Sequence, residues 1–286
     1  MDHRIYFGDN LPFLRSTPDA SVDLIYVDPP FNTGKNQKRV QISTVRSENG
    51  DRTGFSGNRY KTLRLGSREY MDFFDDYMAF LEPRLVEAKR ILTAHGTLYF
   101  HIDYREVHYC KVLLDQIFGR VCFLNEIIWA YDYGGRTKKK WPPKHDNILV
   151  YVKDPQNYTF NDAEIDRIPY MAPNLVGPEK AARGKLPTDT WWHTIVATNS
   201  KEKTGYPTQK PLGVVERIIR ASSNPDDLVL DFFAGRGTVG ESCLKLGRRF
   251  ILVDNNLQAL EVMARRFRGN SEIEWIGYNP SAEQGD

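Results

Sequence analysis

The tetrapeptide Asp28-Pro29-Pro30-Phe31 combines groups that could act on an amino nitrogen. It follows the apolar run Val22–Val27, and two consecutive prolines cannot continue a strand ladder, so the chain must turn at the carboxyl end of that strand. The turn presents a carboxylate, the carbonyl of Pro29 and the aromatic face of Phe31. An amino group conjugated with a ring is a poor nucleophile, and the Asp28 and Pro29 oxygens could each accept one of its N–H groups and expose its lone pair. Taken alone, the same residues are equally consistent with a capped strand end.

A second apolar run leads into a glycine-rich turn. Asp231 ends the predicted strand, and Gly235, Gly237 and Gly240 open a helix whose first N–H groups could bind a ligand. Asp254 ends the next strand, nineteen residues after Gly235, where an acid can bind ribose hydroxyls. This spacing also matches the dinucleotide fingerprint, so an NAD-dependent oxidoreductase is an open alternative. Asp231 favours S-adenosylmethionine, because a carboxylate would repel a pyrophosphate and attract a cationic amino-acid group.

Eight short apolar runs predict the strands that must position these residues. Most are near-continuous, as expected for strands covered on both faces. The predicted strands are Arg4–Phe7, Val22–Val27, Thr97–Ile102, Glu126–Tyr131, Ile148–Val152, Leu228–Phe232, Phe250–Val253 and Ile273–Ile276. Helical spacing occurs over 71–92, where Pro83 is expected to break or kink the helix. The other predicted helices are Arg105–Phe118, Pro211–Ser222, Thr238–Leu246 and Leu257–Phe267. This alternation predicts an α/β fold with a doubly wound, mainly parallel sheet.

Two long segments do not fit the alternation. Residues 32–67 are polar and basic with little periodicity, and residues 153–206 are rich in proline. Both are longer than ordinary connections within a domain. We interpret the second as an inserted target-recognition region, so the predicted domains are a first catalytic part at 1–152, the insertion at 153–206 and a second catalytic part at 207–286.

The basic residues are concentrated, although the net charge is only +2. Residues 35–68 contain nine Lys or Arg against two acidic residues, and residues 132–145 contain five Lys or Arg, three of them at Lys138–Lys140. Both segments fit a polyphosphate track, and solvated loops are the alternative. Three cysteines without CxxC spacing and widely spaced histidines predict a reduced, cytoplasmic protein with no metal site. No apolar run approaches the roughly 20 residues that cross a bilayer.

The two motifs together resemble those of the β class of DNA amino-methyltransferases, which act on adenine N6 or cytosine N4. The order of the motifs is part of the resemblance, because the Asp28 turn comes first and the glycine loop last. Further matching blocks are Gly96–Asp103, Asn125–Trp129, His145–Lys153 and Tyr206–Pro211. The resemblance covers most of the chain and implies the circularly permuted fold of S-adenosylmethionine methyltransferases.

The resemblance also implies roles for individual residues. It places Asp28, Pro29, Pro30 and Phe31 at the reacting amine, with Asp254 at the cofactor ribose. The residues that it places around S-adenosylmethionine are Asp9, Thr208, Lys210, Asp231, Phe232, Ala234, Gly235, Gly237, Asp254 and Asn255. The family often has Ser at the place of Arg236 and Glu at the place of Asp254. His101 and Asp103 are interpreted as structural or pocket-lining residues.

The expected reaction is direct methyl transfer to a base flipped out of double-stranded DNA. Asp28 favours adenine N6, because members that act on cytosine N4 usually carry Ser at that position; cytosine N4 is the alternative. An inactive DNA-binding protein is a third reading, against which the intact motifs argue. A homodimer and a separate restriction endonuclease are further hypotheses about partners.

Overall fold

The structure, a computed structural model, contains two compact units. It describes residues 3–32, 37–46, 52–53, 59–70, 74, 76–132, 137–193 and 210–280. The first unit consists of Met1–Pro29 and Met78–Asp286, and the second is Pro30–Tyr77.

Twelve strands and seven α-helices lie within the described residues. The strands are β1 His3–Phe7, β2 Val22–Val27, β3 Gln37–Arg46, β4 Arg52–Thr53, β5 Arg59–Tyr70, β6 Leu92–Asp103, β7 Phe123–Ala130, β8 His145–Val152, β9 Thr190–Trp192, β10 Leu228–Asp231, β11 Arg249–Asp254 and β12 Ile273–Ile276. The α-helices are α1 Asn10–Ser16, α2 Tyr77–Ile91, α3 Val107–Phe118, α4 Pro178–Arg183, α5 Leu212–Ser222, α6 Thr238–Leu246 and α7 Leu257–Arg266. Two short 3-10 helices lie at Arg120–Cys122 and Pro173–Leu175.

The first unit is built on a nine-stranded sheet in the order β12-β1-β11-β10-β2-β6-β8-β7-β9. The six strands from β12 to β6 are mutually parallel, β8 is antiparallel to both its neighbours, and β9 is parallel to β7. The prediction of a mainly parallel sheet is therefore confirmed. Because β10 lies between β2 and β11, the carboxyl ends of these three strands lie side by side.

The predicted strands of this sheet occur where the apolar runs placed them. In β2, Leu24, Ile25 and Val27 have no exposed surface, and Val229 and Leu230 of β10 are equally buried. Central strands covered on both faces need apolar residues at every position, which explains the near-continuous runs. The chain's first strand pairs with β11 and β12, so the predicted catalytic parts share one sheet.

The second unit differs from the prediction for residues 32–67. Its strands β3, β5 and β4 form a three-stranded antiparallel sheet. The expectation of irregular structure in this segment is therefore wrong. The polar segment shows no alternation of apolar residues, because strand pairing depends on backbone hydrogen bonds that the side-chain pattern does not report.

Pro83 does not break the second helix, contrary to expectation. Helix α2 runs from Tyr77 to Ile91 with Pro83 inside it. A proline removes one N–H donor from a helix, but this helix is held by its apolar face, on which Leu81, Leu85 and Ala88 are buried. Tertiary packing therefore outweighs the local cost of the proline.

The described part of the proline-rich segment is attached to the large sheet. Its strand β9 pairs with β7, and Asp166 accepts hydrogen bonds at 2.9 and 2.5 Å from the guanidinium of Arg217 on α5. The backbone N–H of Asn161 also donates to the carbonyl of Ala221, at 2.7 Å. Across the described residues, none of the helices is long and apolar enough to cross a membrane.

Candidate active site

Three aspartates lie side by side at one end of the sheet. Asp28 follows β2, Asp231 ends β10 and Asp254 ends β11. Burial raises the pKa of Asp231 well above its ordinary value, and the N–H of Phe233 offsets part of the rise. The negative charges of Asp28 and Asp254 raise the pKa of Asp231 further. Burial also raises the pKa of Asp254 to about 6, against backbone N–H groups that favour its ionised form. This end of the sheet therefore favours a positively charged ligand.

The two carboxylate oxygens of Asp28 have different surroundings. Oδ2 lies 2.9 Å from Nζ of Lys210, and the two side chains are only 21% and 11% exposed. Oδ1 is buried and has no hydrogen-bond partner among the residues that the structure describes. A buried acceptor is costly to leave without a donor, so such an atom marks a place where a ligand can donate. The pair with Lys210 thus fixes one oxygen and leaves the other able to accept an N–H.

Pro30 and Phe31 belong to the second unit, in which hydrogen bonds hold the turn. The hydroxyl of Tyr77 donates to the carbonyl of Pro30 at 2.5 Å. The side-chain oxygen of Asn32 accepts from the backbone N–H of Phe74 at 3.2 Å. Asn32 has a φ of 50°, a left-handed conformation that asparagine tolerates better than most residues. Phe31 itself is partly buried.

The glycine loop between β10 and α6 is tied to β11. Asp254 Oδ2 accepts from the N–H of Gly235 at 2.7 Å, and the N–H of Ala234 donates to the backbone of β11 at 3.1 Å. Gly235 and Gly237 have φ values of 51° and 71°, which favour glycine. A Cβ atom at Gly235 would meet only a carbonyl oxygen at 3.9 Å, whereas one at Gly237 would lie 2.8 Å from the ring of Phe267. Gly237 thus allows close packing, and Gly235 leaves space beside the loop.

Sequence analysis missed Asn10 and Arg84, which support this loop. Asn10 Nδ2 donates to the carbonyl of Phe232 at 2.7 Å, and Arg84 Nε donates to Asn10 Oδ1 at 2.6 Å. Asp9, predicted near the cofactor adenine, caps α1 by accepting from the N–H of Leu11 at 2.9 Å and pairs with Arg84 at 3.3 Å. The sequence signal for Asn10 was its position directly after a strand of the parallel sheet.

The other predicted site residues lie in or beside these elements, with one exception. Phe232 and Ala234 are buried in the loop, and Pro29 is buried beside Asp28. Asn255 is exposed. Thr208 lies outside the described residues.

His101 forms a buried chain of hydrogen bonds behind the Asp28 turn. Its Nδ1 lies 2.8 Å from the hydroxyl of Tyr26 and its Nε2 lies 3.3 Å from Asp146 Oδ2. The hydroxyl of Tyr131 donates to the other oxygen of Asp146 at 3.1 Å. Asp103 instead accepts from the backbone N–H of Arg105 at 3.0 Å and from its guanidinium. These contacts support the structural interpretation of His101 over a catalytic pair with Asp103.

The acidic strand ends and the glycine loop fit S-adenosylmethionine. Its sulfonium and ammonium groups are cationic, and the mutual repulsion that raises the pKa of Asp231 favours such a ligand. The open space at Gly235 suits a closely approaching cofactor. Asp254 already accepts backbone N–H groups from Gly235 and Asn256, so any contact with a ribose would share its oxygens.

Solved structures share this fold. A DNA modification methylase of Thermus thermophilus, solved in complex with S-adenosyl-L-methionine, superposes with a TM-score of 0.58 at 21% identity, over 97% of this chain and 99% of that chain. The cytosine-N4-specific PvuII DNA methyltransferase superposes with a TM-score of 0.62 at 16% identity, over 94% of this chain and 88% of that chain.

Sequence comparison gives the family. The chain is 31% identical over 269 residues to the type II methyltransferase M.HpaI of Haemophilus parainfluenzae, covering 93% of this chain and 74% of that protein. It is 32% identical over 270 residues to the DNA adenine methyltransferase YhdJ of Escherichia coli K12, covering 92% and 81%. Residues 22–265 match the N6/N4 methyltransferase family model, described as DNA methylase. The chain therefore belongs to the N6/N4 DNA methylase family, which confirms the resemblance carried by its motifs.

Proposed function

We propose that this protein methylates the N6 amino group of adenine in double-stranded DNA, with S-adenosylmethionine as the methyl donor. The observation that carries the proposal is the asymmetric environment of Asp28. Lys210 holds Oδ2 at 2.9 Å, while Oδ1 is buried with no partner among the described residues. An acceptor fixed in this way can take one N–H of an amino group and orient the nitrogen lone pair.

The remaining residues of the site have roles in binding and orientation. The carbonyl of Pro29 accepts the second N–H of the amine, and the ring of Phe31 stacks on the base. Pro30 fixes the turn between them. Bound S-adenosylmethionine supplies a methyl group activated by its sulfonium. The residues that hold it are Asp9, Thr208, Lys210, Asp231, Phe232, Ala234, Gly235, Gly237, Asp254 and Asn255.

Adenine N6 is favoured over cytosine N4 by two observations. Asp28 stands where relatives that act on cytosine N4 usually have Ser, and a carboxylate is a stronger acceptor than a hydroxyl. The relative YhdJ is named as an adenine methyltransferase. The PvuII enzyme, which is cytosine-N4-specific, shares the fold at only 16% identity.

Nucleoside mass spectrometry tests this proposal. The purified protein is incubated with unmethylated plasmid DNA and S-adenosylmethionine, and the DNA is digested to nucleosides. We expect N6-methyladenine, and none when the cofactor is omitted. N4-methylcytosine would retain the reaction and refute the target. The absence of both bases, on DNA of varied sequence, would refute the proposal as a whole.

The pKa of Asp254 predicts a pH-dependent affinity for the cofactor. Its carboxyl is protonated below about pH 6 and ionised above, and the ionised form accepts ribose hydroxyls better. The ionised fraction therefore falls to about one tenth at pH 5. Calorimetric titration with S-adenosylmethionine should show roughly tenfold weaker binding at pH 5 than at pH 7.5. Asp254→Asn should bind more weakly but without this pH dependence. Unchanged pH dependence in that variant would assign the titration to another group, such as Asp231.

Target recognition by residues 153–206 is part of the same proposal. This assignment is supported by the length of the segment and by its attachment to the catalytic sheet through β9. The homodimer and the separate restriction endonuclease stay predictions. Light scattering tests the first, and a monomeric mass would refute it.

A further inference from the structure

The segment between β7 and β8 presents an exposed indole within a cluster of positive charge. Residues 137–144 contain four lysines and no acidic residue. Lys138, Lys139 and Lys140 are exposed, and Trp141 directly follows them. The side chain of Trp141 is 93% exposed. Tryptophan is rarely left in water to this extent unless its surface serves binding.

The strand directions place this segment, here called the Lys-Trp loop (137–144), at the end of the sheet that carries Asp28. Strand β7 runs in the same direction as β6 and β2, because β8 is antiparallel to both β6 and β7 and β6 is parallel to β2. The connection from β7 to β8 therefore emerges at the carboxyl ends of the parallel strands. Asp28 and Asp231 follow strands that end at that same edge.

The stem of the loop is ordered by contacts that reach the candidate site. The N–H of Tyr131 donates to the carbonyl of Lys144 at 2.9 Å, which continues the pairing of β7 with β8. Burial acts to raise the pKa of Asp146, but the hydrogen bond from His101 and the nearby charge of Lys210 lower it overall. Asp146 therefore lies close to Lys210, the residue that binds Asp28. The stem and the reacting carboxylate share this cation.

A second exposed indole lies beside the same stem. Strand β9 pairs with β7 so that Trp192 faces Ala130 in register, and Trp192 is 79% exposed. Its neighbour Trp191 is buried, and the guanidinium of Arg217 lies 4.9 Å from the Trp191 ring centroid. Trp191 thus anchors the segment, while Trp192 adds aromatic surface to the edge that carries the Lys-Trp loop.

We propose that the Lys-Trp loop binds duplex DNA beside the base to be methylated. Lys138, Lys139 and Lys140 contact backbone phosphates, and Trp141 stacks on bases next to the extruded nucleotide. Phosphates match the charge of the loop. Inserted or stacked side chains stabilise distorted duplex, and base extrusion leaves an unstacked neighbour that an indole can cover. This inference rests on the proposed function, because it takes DNA as the substrate.

Binding and methylation assays on loop variants test the inference. Affinity is measured by fluorescence anisotropy of a dye-labelled duplex of mixed sequence, at several salt concentrations. Combining Lys138→Gln, Lys139→Gln and Lys140→Gln should reduce the slope of log K against log salt by about 2 to 3, from roughly 0.9 per lost phosphate contact. Arg120→Gln, whose side chain is exposed at the amino end of β7, is the matched charge control and should leave the slope unchanged.

The role of Trp141 has its own readout. Trp141→Ala should weaken duplex binding or slow methyl incorporation into plasmid DNA by about 5- to 100-fold, and Trp141→Phe should restore most of the loss. If Trp141→Ala behaves like the wild type in both assays, stacking is refuted. If the lysine variant also retains its salt slope, the loop does not contact DNA. Loop-dependent DNA binding without methyl incorporation by the wild type would refute the proposed function and leave this inference standing.

Discussion

Asp28→Asn is expected to lower the rate of methyl transfer by about 10²- to 10⁴-fold. The substitution keeps the side-chain volume but leaves only one carbonyl oxygen for two donors. That oxygen can serve either Lys210 or the substrate amine, and the new amide N–H groups oppose the N–H groups of the amine. The rate is measured by incorporation of labelled methyl groups under single-turnover conditions.

Two controls separate this chemical effect from loss of structure. Asp19→Asn changes an exposed carboxylate that pairs with Arg90 on the surface and should retain full activity. Calorimetric affinity of the Asp28 variant for S-adenosylmethionine should stay within a few-fold of the wild type. A rate loss smaller than about threefold would contradict the role assigned to the free Asp28 oxygen.

Lys210→Met should lower the rate by roughly 10²-fold, because the Asp28 carboxylate would lose the donor that orients it. A displaced catalytic group of this kind commonly costs that much. The 2.9 Å contact is largely shielded from water, so solvent screens it little. Lys210→Arg should recover part of the rate. Lys245→Met, which removes an exposed surface ion pair, is the matched control.

The kinetic parameters distinguish two roles for Lys210. If Lys210 positions Asp28, its loss lowers kcat and leaves the KM for S-adenosylmethionine nearly unchanged. If Lys210 mainly lines the cofactor pocket, as the family resemblance implies, the KM for the cofactor rises with little change in kcat. The second pattern would contradict the positioning role.

The parallel core was predictable because its information is local. Each central strand is an apolar run, and each functional aspartate directly follows such a run. In parallel sheets, strand ends and ligand sites coincide. The positions of Asp28, Asp231 and Asp254 at one edge therefore followed from the sequence.

Contacts between distant parts of the chain were not predictable in the same way. Lys210 meets Asp28 from a separate segment, and no spacing rule relates the two. Asn10 supports the carbonyl of Phe232 across 222 positions of sequence. Pro83 lies within a helix because the buried Leu81 and Leu85 outweigh the local preference of proline. These outcomes depend on tertiary packing, which competes with local signals and often overrides them.

The short strand β9 has a consequence for exchanging specificity between relatives. It lies within the predicted recognition region, yet it forms the outermost strand of the catalytic sheet, next to β7. Removing residues 153–206 would uncover the backbone groups of β7, and an uncovered strand edge invites aggregation between molecules. A transplanted recognition region must therefore bring its own edge strand in register with Ile128, Trp129 and Ala130. The boundary for such grafts belongs after β9, outside the sheet.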